Sequence, residues 1–151
     1  MNKKLLSLTV VLSTALLNAC SVNINTKPVQ NLTARDAIEL SEAAAPEGVS
    51  GIYSLLIKQH GYQRDTLYLN TQSDYRDRRN VSLAVPKQVQ EQFIELHKKT
   101  IEQAVLNKSI LVYGKAHREK IWFFKQGKRS EKYYFQTHIN ITDATQIKLD
   151  W

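Results

Sequence analysis

The feature that most constrains this chain is an alternation of apolar and polar residues with a period of two, which dominates from residue 49 onward. It is clearest over residues 133–141, where one side carries Tyr133, Phe135, Thr137, Ile139 and Ile141. Successive side chains of a strand point to opposite faces, so this pattern predicts a strand with one core face and one solvated face. We therefore expect a chain built mainly of β-strands.

Other segments are predicted strands on the same grounds, and turn signals separate them. They are residues 51–58, 66–70, 81–85 and 110–124, and a short segment at 146–149. His60-Gly61 lies in the first connection, and a dense polar segment at residues 73–80 forms the second. Gly114 stands inside the long strand, where an isolated glycine predicts a bulge or a sharp bend.

Two segments have helical periodicity instead. Residues 89–107 repeat apolar side chains at helical spacing and end at Asn107, which predicts one helix after Pro86. Residues 33–45 form a shorter predicted helix, with Thr33 as its N-cap and Asp36 in the place of a capping-box partner. Three consecutive alanines and few large apolar groups indicate that this helix is weakly docked.

The order of these elements predicts a mainly β (β+α) fold over residues 47–151, preceded by the short N-terminal helix of residues 33–46. The order resembles the OB-fold, a small five-stranded Greek-key barrel, with one helix between strands 3 and 4. The resemblance rests on the order and lengths of the elements, without a sequence motif. The main alternative is a different α+β arrangement of the same elements.

The first twenty residues have the layout of a secretory signal, with Lys3 and Lys4, an apolar run at residues 5–17, and a small residue before Cys20. Thirteen helical residues span about 20 Å at about 1.5 Å each, which is less than a hydrocarbon core of about 30 Å. A permanent transmembrane helix is therefore not expected here. Residues 1–19 are predicted to be a signal peptide.

The end of this segment, Leu17-Asn18-Ala19-Cys20, resembles the lipobox of bacterial lipoproteins. The resemblance implies lipidation of Cys20, with covalent diacylglycerol on its thiol and an N-acyl lipid such as palmitate, and no other cofactor. Ser21 implies the outer membrane on its periplasmic face, with the cell surface as the alternative. Residues 20–32 are predicted to be a polar tether. The competing interpretation is an ordinary secreted protein cleaved after Ala19.

Positive charge is concentrated in one segment. The chain has 21 Lys and Arg against 14 Asp and Glu, a net charge of +7, and removal of residues 1–19 leaves 132 residues with a net charge of +5. Residues 115–132 hold seven basic and two acidic residues, so the rest of the mature chain has twelve of each sign. Aromatic residues are interleaved with these charges, at Tyr113, Trp122, Phe123, Phe124, Tyr133 and Tyr134.

This segment is predicted to be a hairpin of the last two long strands, joined by a loop at residues 125–132. Basic groups attract polyanions and aromatic rings stack on bases or sugars, which indicates binding of a polyanion or glycan, including nucleic acid and cell-wall material. The competing interpretations are that the lysines solvate an edge hairpin, or that they face an anionic membrane. The candidate binding residues are Lys115, Arg118, Lys120, Trp122, Lys125, Lys128, Arg129, Lys132 and Tyr134.

Catalytic and metal-binding patterns are sparse. Residues 74–79 bring Asp and Arg together, as in nuclease sites of OB-like folds, but without carboxylates from separate strands or a general base. Four single histidines, which lack ligand spacing, are His60, His97, His117 and His138. The last two are candidates for neighbours across adjacent strands and for a two-histidine metal site. No enzyme and no resident metal are predicted, with a phosphodiester hydrolase kept as an alternative.

Together these patterns predict a lipid-anchored, non-catalytic binding or assembly module of the cell envelope that interacts with a protein partner at the membrane. The predicted anchor and tether, the sheet edges and the sparse catalytic patterns support this prediction. The alternative is polyanion or glycan binding by the basic aromatic hairpin at residues 115–132.

Overall fold

A computed structural model describes residues 31–149. The predicted signal peptide, Cys20 and most of the predicted tether lie outside the described residues. No helix within the described range has the length and apolar character needed to cross a membrane. The helices are α1 (Ala34–Ala43), α2 (Lys87–His97) and α3 (Ile101–Val105), with a 3₁₀ turn at Ala144–Gln146. The strands are β1 (Val49–Leu56), β2 (Gln59–Gln63), β3 (Thr66–Asn70), β4 (Val81–Val85), β5 (Ser109–Lys125), β6 (Lys128–Asn140) and β7 (Ile147–Leu149).

The strands form one sheet in the order β1-β5-β6-β4-β3-β2, with β7 paired to β5. The β4–β6 pair is parallel, and the other pairs are antiparallel. The mainly β fold with helices is confirmed, and the predicted strands at residues 66–70 and 81–85 have the same bounds in the structure. The sheet has seven strands within residues 31–149, where the sequence predicted fewer.

Strand β2 was missed because its sequence, QHGYQ, has no apolar alternation and leaves most of its residues exposed. It follows β1 after only two residues. At this junction the Ile57 N–H donates to the Lys108 carbonyl at 3.1 Å, and the Lys58 N–H donates to the Asn70 carbonyl at 2.8 Å. One short stretch of chain is thus hydrogen-bonded both next to β5 and next to β3.

The core is formed by the inward side chains of the strands. Leu69, Leu83 and Ile139 lie side by side on β3, β4 and β6, and each is fully buried. The helices add Val89 and Phe93 from α2 and Ile101 from α3. Alternate strand residues therefore build a single apolar interior, as the period of two requires.

Helix α1 begins where the sequence predicts. Thr33 caps it, and the reciprocal capping box with Asp36 is present. The expectation of weak docking is wrong, since Ala37 and Ser41 are completely buried. Small side chains let the helix backbone approach the sheet closely, so a run poor in large apolar groups still packs. Leu32, at the end of the predicted tether, is hydrogen-bonded to β1 through Ile52 and Ser54.

The single helix predicted over residues 89–107 is two helices. Lys98 adopts the left-handed conformation with a φ of 56°, which ends α2. Thr100 then caps α3 in a second capping box with Gln103. The sequence signal for the start of a second helix is the T-x-x-Q spacing of Thr100 and Gln103, which is typical of a capping box. The apolar spacing gives no sign of the break because it continues through it.

Gly114 does not lie at a bulge, which was one of the two features predicted there. It pairs in register with Gly51, and a Cβ at Gly114 would lie 2.5 Å from Ile139 Cγ2. The glycine is therefore required for close packing. The irregular register lies further along β5, between Trp122 and Phe124.

The predicted loop at residues 125–132 is also shorter than expected. Only Gln126 and Gly127 connect the strands, and their φ values of 50° and 74° are both positive. Two such residues are typical of a type I′ turn, which matches the twist of a hairpin. Residues 128–132 belong to β6.

Strands β5 and β6 are much longer than their neighbours. β1 pairs with β5 only as far as Ala116, and β4 pairs with β6 only at residues 137–140. Beyond these points β5 and β6 pair only with each other among the described strands. We call residues 117–136 the arm, and residues 109–116 together with 137–140 the base.

Candidate functional site

The alternation of β6 continues into the arm, but burial does not. Ile139 and Thr137 are buried in the base, whereas Phe135 and Tyr133, on the same face, are 39% and 47% exposed. The base is covered by the other strands and α1, and the arm extends past that cover. The face of β6 that is part of the core in the base is therefore an exposed aromatic surface in the arm.

Basic side chains lie over these aromatic rings. Lys120 pairs across the strands with Phe135, and its Nζ lies 4.6 Å from the centroid of the Tyr133 ring. The guanidinium of Arg118 lies 4.1 Å from the Phe135 centroid, and that of Arg129 lies 4.7 Å from a ring of Trp122. Such cation–π contacts contribute about 0.5–1 kcal/mol each at exposed positions. We call this surface the cation–aromatic face, and its residues are Arg118, Lys120, Trp122, Arg129, Tyr133 and Phe135.

Most of the basic residues of the arm are not neutralised. Arg118 forms an ion pair with Glu42 of α1 at 3.3 Å. No carboxylate within the described chain lies within 4.0 Å of the other arm cations, which are Lys120, Lys125, Lys128, Arg129 and Lys132. The positive charge that the sequence located in this segment is therefore available to an external partner.

The end of the arm exposes two phenylalanines. Phe123 is 50% exposed and Phe124 is 67% exposed. The Phe123 ring contacts Tyr134, with centroids 5.2 Å apart, while Phe124 pairs with Arg129. Because Arg129 belongs to the cation–aromatic face and Tyr134 to the opposite one, the two phenyl rings lie on opposite sides of the arm. We call residues 123–129 the tip.

The opposite face carries a histidine pair at the root of the arm. His117 and His138 are directly paired across β5 and β6, as predicted, with ring centroids 6.4 Å apart. Burial, with the nearby charge of His117 as the second cause, lowers the pKa of His138 to about 4. Its Nε2 lies 2.8 Å from Gln136 Oε1, and its ring meets Tyr68 edge-on at 6.0 Å.

Metal ligands do not converge at this pair. Nε2 of His117 lies 3.4 Å from the Glu119 carboxylate. Within residues 31–149, no group of three or more His, Cys, Asp or Glu side chains is arranged to hold a metal ion. The pair is a contact between the two long strands in which His138 is buried and His117 is half-buried.

The acidic and basic residues of the connection between β3 and β4 pair locally. Asp74 accepts hydrogen bonds from Arg76, and Asp77 accepts them from Arg79, at distances of 2.7 to 3.1 Å. Hydrogen bonds from the Arg79 side chain and backbone lower the pKa of Asp77 to about 2. Both carboxylates are thus used within two short turns.

A small cavity of about 80 Å³ lies where α1, this connection and the arm meet. Its lining includes Glu42, Arg78 and Arg118. Cavities that hold drug-sized ligands measure about 300–1,000 Å³, so this one is too small for such a molecule. This cavity is therefore a weaker candidate for binding than the extended surface of the arm.

The structure divides the predicted binding residues into groups. Four lie on the cation–aromatic face, namely Arg118, Lys120, Trp122 and Arg129. Lys125 and Lys128 lie at the tip, as Arg129 also does, and Lys132 lies in the irregular part of β6. Lys115 and Tyr134 lie on the histidine side, with Lys115 in the base beside Ser50. Four exposed aromatic residues of the arm are absent from the predicted binding set, namely Phe123, Phe124, Tyr133 and Phe135.

The alternation is the reason why Tyr133 and Phe135 were absent from the predicted binding set. It placed both on the core face, and no sequence signal marks where the neighbouring strands stop covering β6. The sequence matches no protein-family model, and no curated protein matches it.

Proposed function

We propose that this protein is a lipid-anchored, non-catalytic binding or assembly module of the cell envelope that contacts a protein partner at the membrane through the arm. The observation that carries the proposal is the exposed cation–aromatic face, which projects past the sheet. Trp, Tyr and Arg are enriched among the residues that dominate protein interfaces, and this face holds all three. Its unpaired cations favour a partner with an acidic surface.

The partner is best sought by photo-crosslinking in intact cells. A photoreactive phenylalanine analogue at Tyr133 is expected to yield a specific protein adduct, because this ring lies in the centre of the cation–aromatic face. Tyr62 on β2 is 57% exposed and serves as the matched control position. Absence of any protein adduct from Tyr133 and Phe135, or the same adducts from Tyr62, would contradict a specific protein partner.

The lipid anchor is a second part of this proposal. It is supported by the arrangement Leu17-Asn18-Ala19-Cys20 and by the position of the only cysteine in the chain. We propose the periplasmic face of the outer membrane as its location. Cys20→Ser is expected to abolish labelling by radioactive palmitate, while Ser21→Ala keeps it. Labelling of the Cys20→Ser protein would refute lipidation at this residue.

We further propose that the sheet is an OB-like Greek-key barrel in which β1 and β2 act as one bent strand. These two strands stand at opposite ends of the strand order, yet only residues 57 and 58 separate them. The hydrogen bonds of Ile57 to Lys108 and of Lys58 to Asn70 support closure at this bend. The test is NMR hydrogen exchange, in which both amides are expected to be protected. Rapid exchange at either amide would argue for an open sheet.

Polyanion or glycan binding is the second candidate, and the alternation of cations and aromatic rings on one face favours it. The test is retention of the protein on an anionic polysaccharide over a salt gradient. Lys120→Glu is expected to lower the salt concentration of elution, whereas Lys99→Glu on the surface after α2 changes it less. Equal effects of the two variants would indicate unspecific charge attraction.

A further inference from the structure

We propose that the tip inserts into the interfacial region of the membrane leaflet that holds the Cys20 lipid, with its basic residues on anionic lipid headgroups. The placement of the tip at this leaflet rests on the proposed lipid anchor. The recognition itself rests on Phe123, Phe124, Lys125, Lys128 and Arg129.

The apolar part of the tip fits a fluid interface better than a single protein surface. Phe124 is the most exposed large apolar side chain among the described residues. Phe123 lies on the other side of the arm, as its contact with Tyr134 shows. A partner bound to one face would leave one phenyl ring in water, whereas lipid surrounds an inserted tip on both sides.

The charges of the tip point to an anionic surface. Residues 123–129 contain three cations and no carboxylate. Lys125 and Lys128 are paired directly across the turn, an arrangement of like charges that is unfavourable in water. Anionic headgroups relieve this repulsion and attract basic segments close to the membrane.

The tether length allows the tip to reach this leaflet. Leu32 lies twelve residue steps after Cys20, and an extended chain of that length spans about 40 Å at about 3.3–3.6 Å per step. Leu32 is attached to β1 beside Tyr53, which pairs with Val112 of β5. The thirteen residue steps along β5 from Val112 to Lys125 span about 43 Å at about 3.3 Å each. The span of the extended tether and the length of β5 from Val112 to Lys125 are therefore similar. An arm inclined towards the membrane thus brings its tip to the membrane surface.

The direct test places an environment-sensitive fluorophore at the tip of the acylated protein. Lipidation of Cys20 blocks the natural thiol, so Phe124→Cys supplies a single labelling site for a nitrobenzoxadiazole dye. In vesicles of phosphatidylethanolamine and phosphatidylglycerol at 3:1, we expect a blue shift and an at least twofold rise in emission. The same dye at Tyr62→Cys is expected to stay in water. An unshifted tip dye in protein that floats with the vesicles would overturn the inference while leaving the anchor intact.

A second measurement tests the tip without the anchor. The chain of residues 20–151 contains every described element of the fold, and with Cys20→Ser it carries no lipid. Phe123→Ser with Phe124→Ser, and separately Lys125→Glu with Lys128→Glu, are each expected to weaken its binding to the same vesicles at least tenfold. Lys98→Glu with Lys99→Glu changes the net charge as much as Lys125→Glu with Lys128→Glu does. This control is expected to weaken vesicle binding less than threefold.

The outcomes separate the two proposals. Loss of palmitate labelling by the Cys20→Ser protein, with binding of its tip to the vesicles retained, supports the tip and the anchor independently. Equal loss with the Lys98 and Lys99 control would overturn specific recognition by the tip. A tip dye that shifts only when an acidic protein is added, and never with vesicles alone, would assign this surface to a protein and overturn membrane insertion. Equal binding to neutral phosphatidylcholine vesicles would overturn the role of the charges.

Discussion

The base and the arm are parts of the same two strands, yet their equivalent side chains have opposite environments. Ala116 and Ile139 in the base are buried, whereas Trp122 and Tyr133, on the same face of the arm, are half-buried and exposed. The alternation of the sequence is continuous across the boundary. The difference shows that alternation determines which residues share a face, while the neighbouring elements determine whether that face is core. The base therefore contributes to the core, whereas the arm of the same hairpin is the surface proposed for binding.

The largest expected effect is the loss of a base side chain. Ile139→Ala removes a fully buried residue and is expected to lower the free energy of unfolding by about 3 kcal/mol, since such truncations cost about 2–5 kcal/mol. Phe135→Ala, on the same face of the arm, is expected to cost less than about 1 kcal/mol because its ring is already exposed. Urea unfolding measures both. Similar losses would show that the arm packs as core.

A smaller effect on the free energy of unfolding is expected from the protonation of His138, at the boundary between base and arm. The unfolded chain protonates His138 below about pH 6.5, whereas the folded protein does so only near pH 4. The contribution of neutral His138 to the free energy of unfolding is therefore complete above pH 6.5 and falls as the pH drops towards 4. Between pH 7.5 and pH 5 we expect a loss of about 2 kcal/mol from this group.

Urea unfolding at the two pH values tests this expectation. His138→Gln should remove about 2 kcal/mol of the pH dependence, and the control His97→Gln should keep it. The groups facing His138 are His117, Gln136 and Tyr68, and the Glu119 carboxylate lies beside His117. An unchanged pH dependence in His138→Gln would place the titrating group elsewhere.

The arm is expected to contribute only a small local stabilisation. Lys120→Gln removes a cation that lies near the rings of Trp122, Tyr133 and Phe135, and should cost about 0.5–1 kcal/mol. The matched variant Lys99→Gln should be neutral within about 0.5 kcal/mol, as is usual for surface changes. A loss above about 2 kcal/mol would mean that the arm folds as part of the core.

The smallest effect on stability is expected at the tip. Phe123→Ser with Phe124→Ser should leave the free energy of unfolding within about 0.5 kcal/mol of the original protein, because both rings are exposed. The same variant is the one expected to lose vesicle binding. A strongly destabilised double variant would give the two phenyl rings a structural role and remove the contrast between base and tip.

Much of the fold was predictable because local signals and tertiary structure agree. The strands at residues 66–70 and 81–85 combine alternation with clear turn residues, and Thr33 caps α1 through side-chain chemistry that is visible in the sequence. The break after His97 was missed because the apolar spacing continues through it. Strand β2 was missed because its residues are exposed on both faces.

The candidate site was predictable in location and only partly in composition. Charge counting identified the segment that contains most of the arm, since residues 115–132 hold the whole excess charge of the mature chain. It could not separate the two faces without the register, so Lys115 and Tyr134 were grouped with residues on the other side. The length of the cover over β6 depends on where β1 and β4 end, which local sequence does not specify.

The root of the arm is fastened on both sides. On one side Arg118 is paired with Glu42 of α1, and on the other Gln136 Nε2 donates to the Tyr75 carbonyl at 3.2 Å. Further along the arm, the register between β5 and β6 is irregular between Trp122 and Phe124. The tip is thus separated from the two root contacts by an interruption of the regular strand pairing, so we expect substitutions at Phe123 and Phe124 to leave both contacts intact.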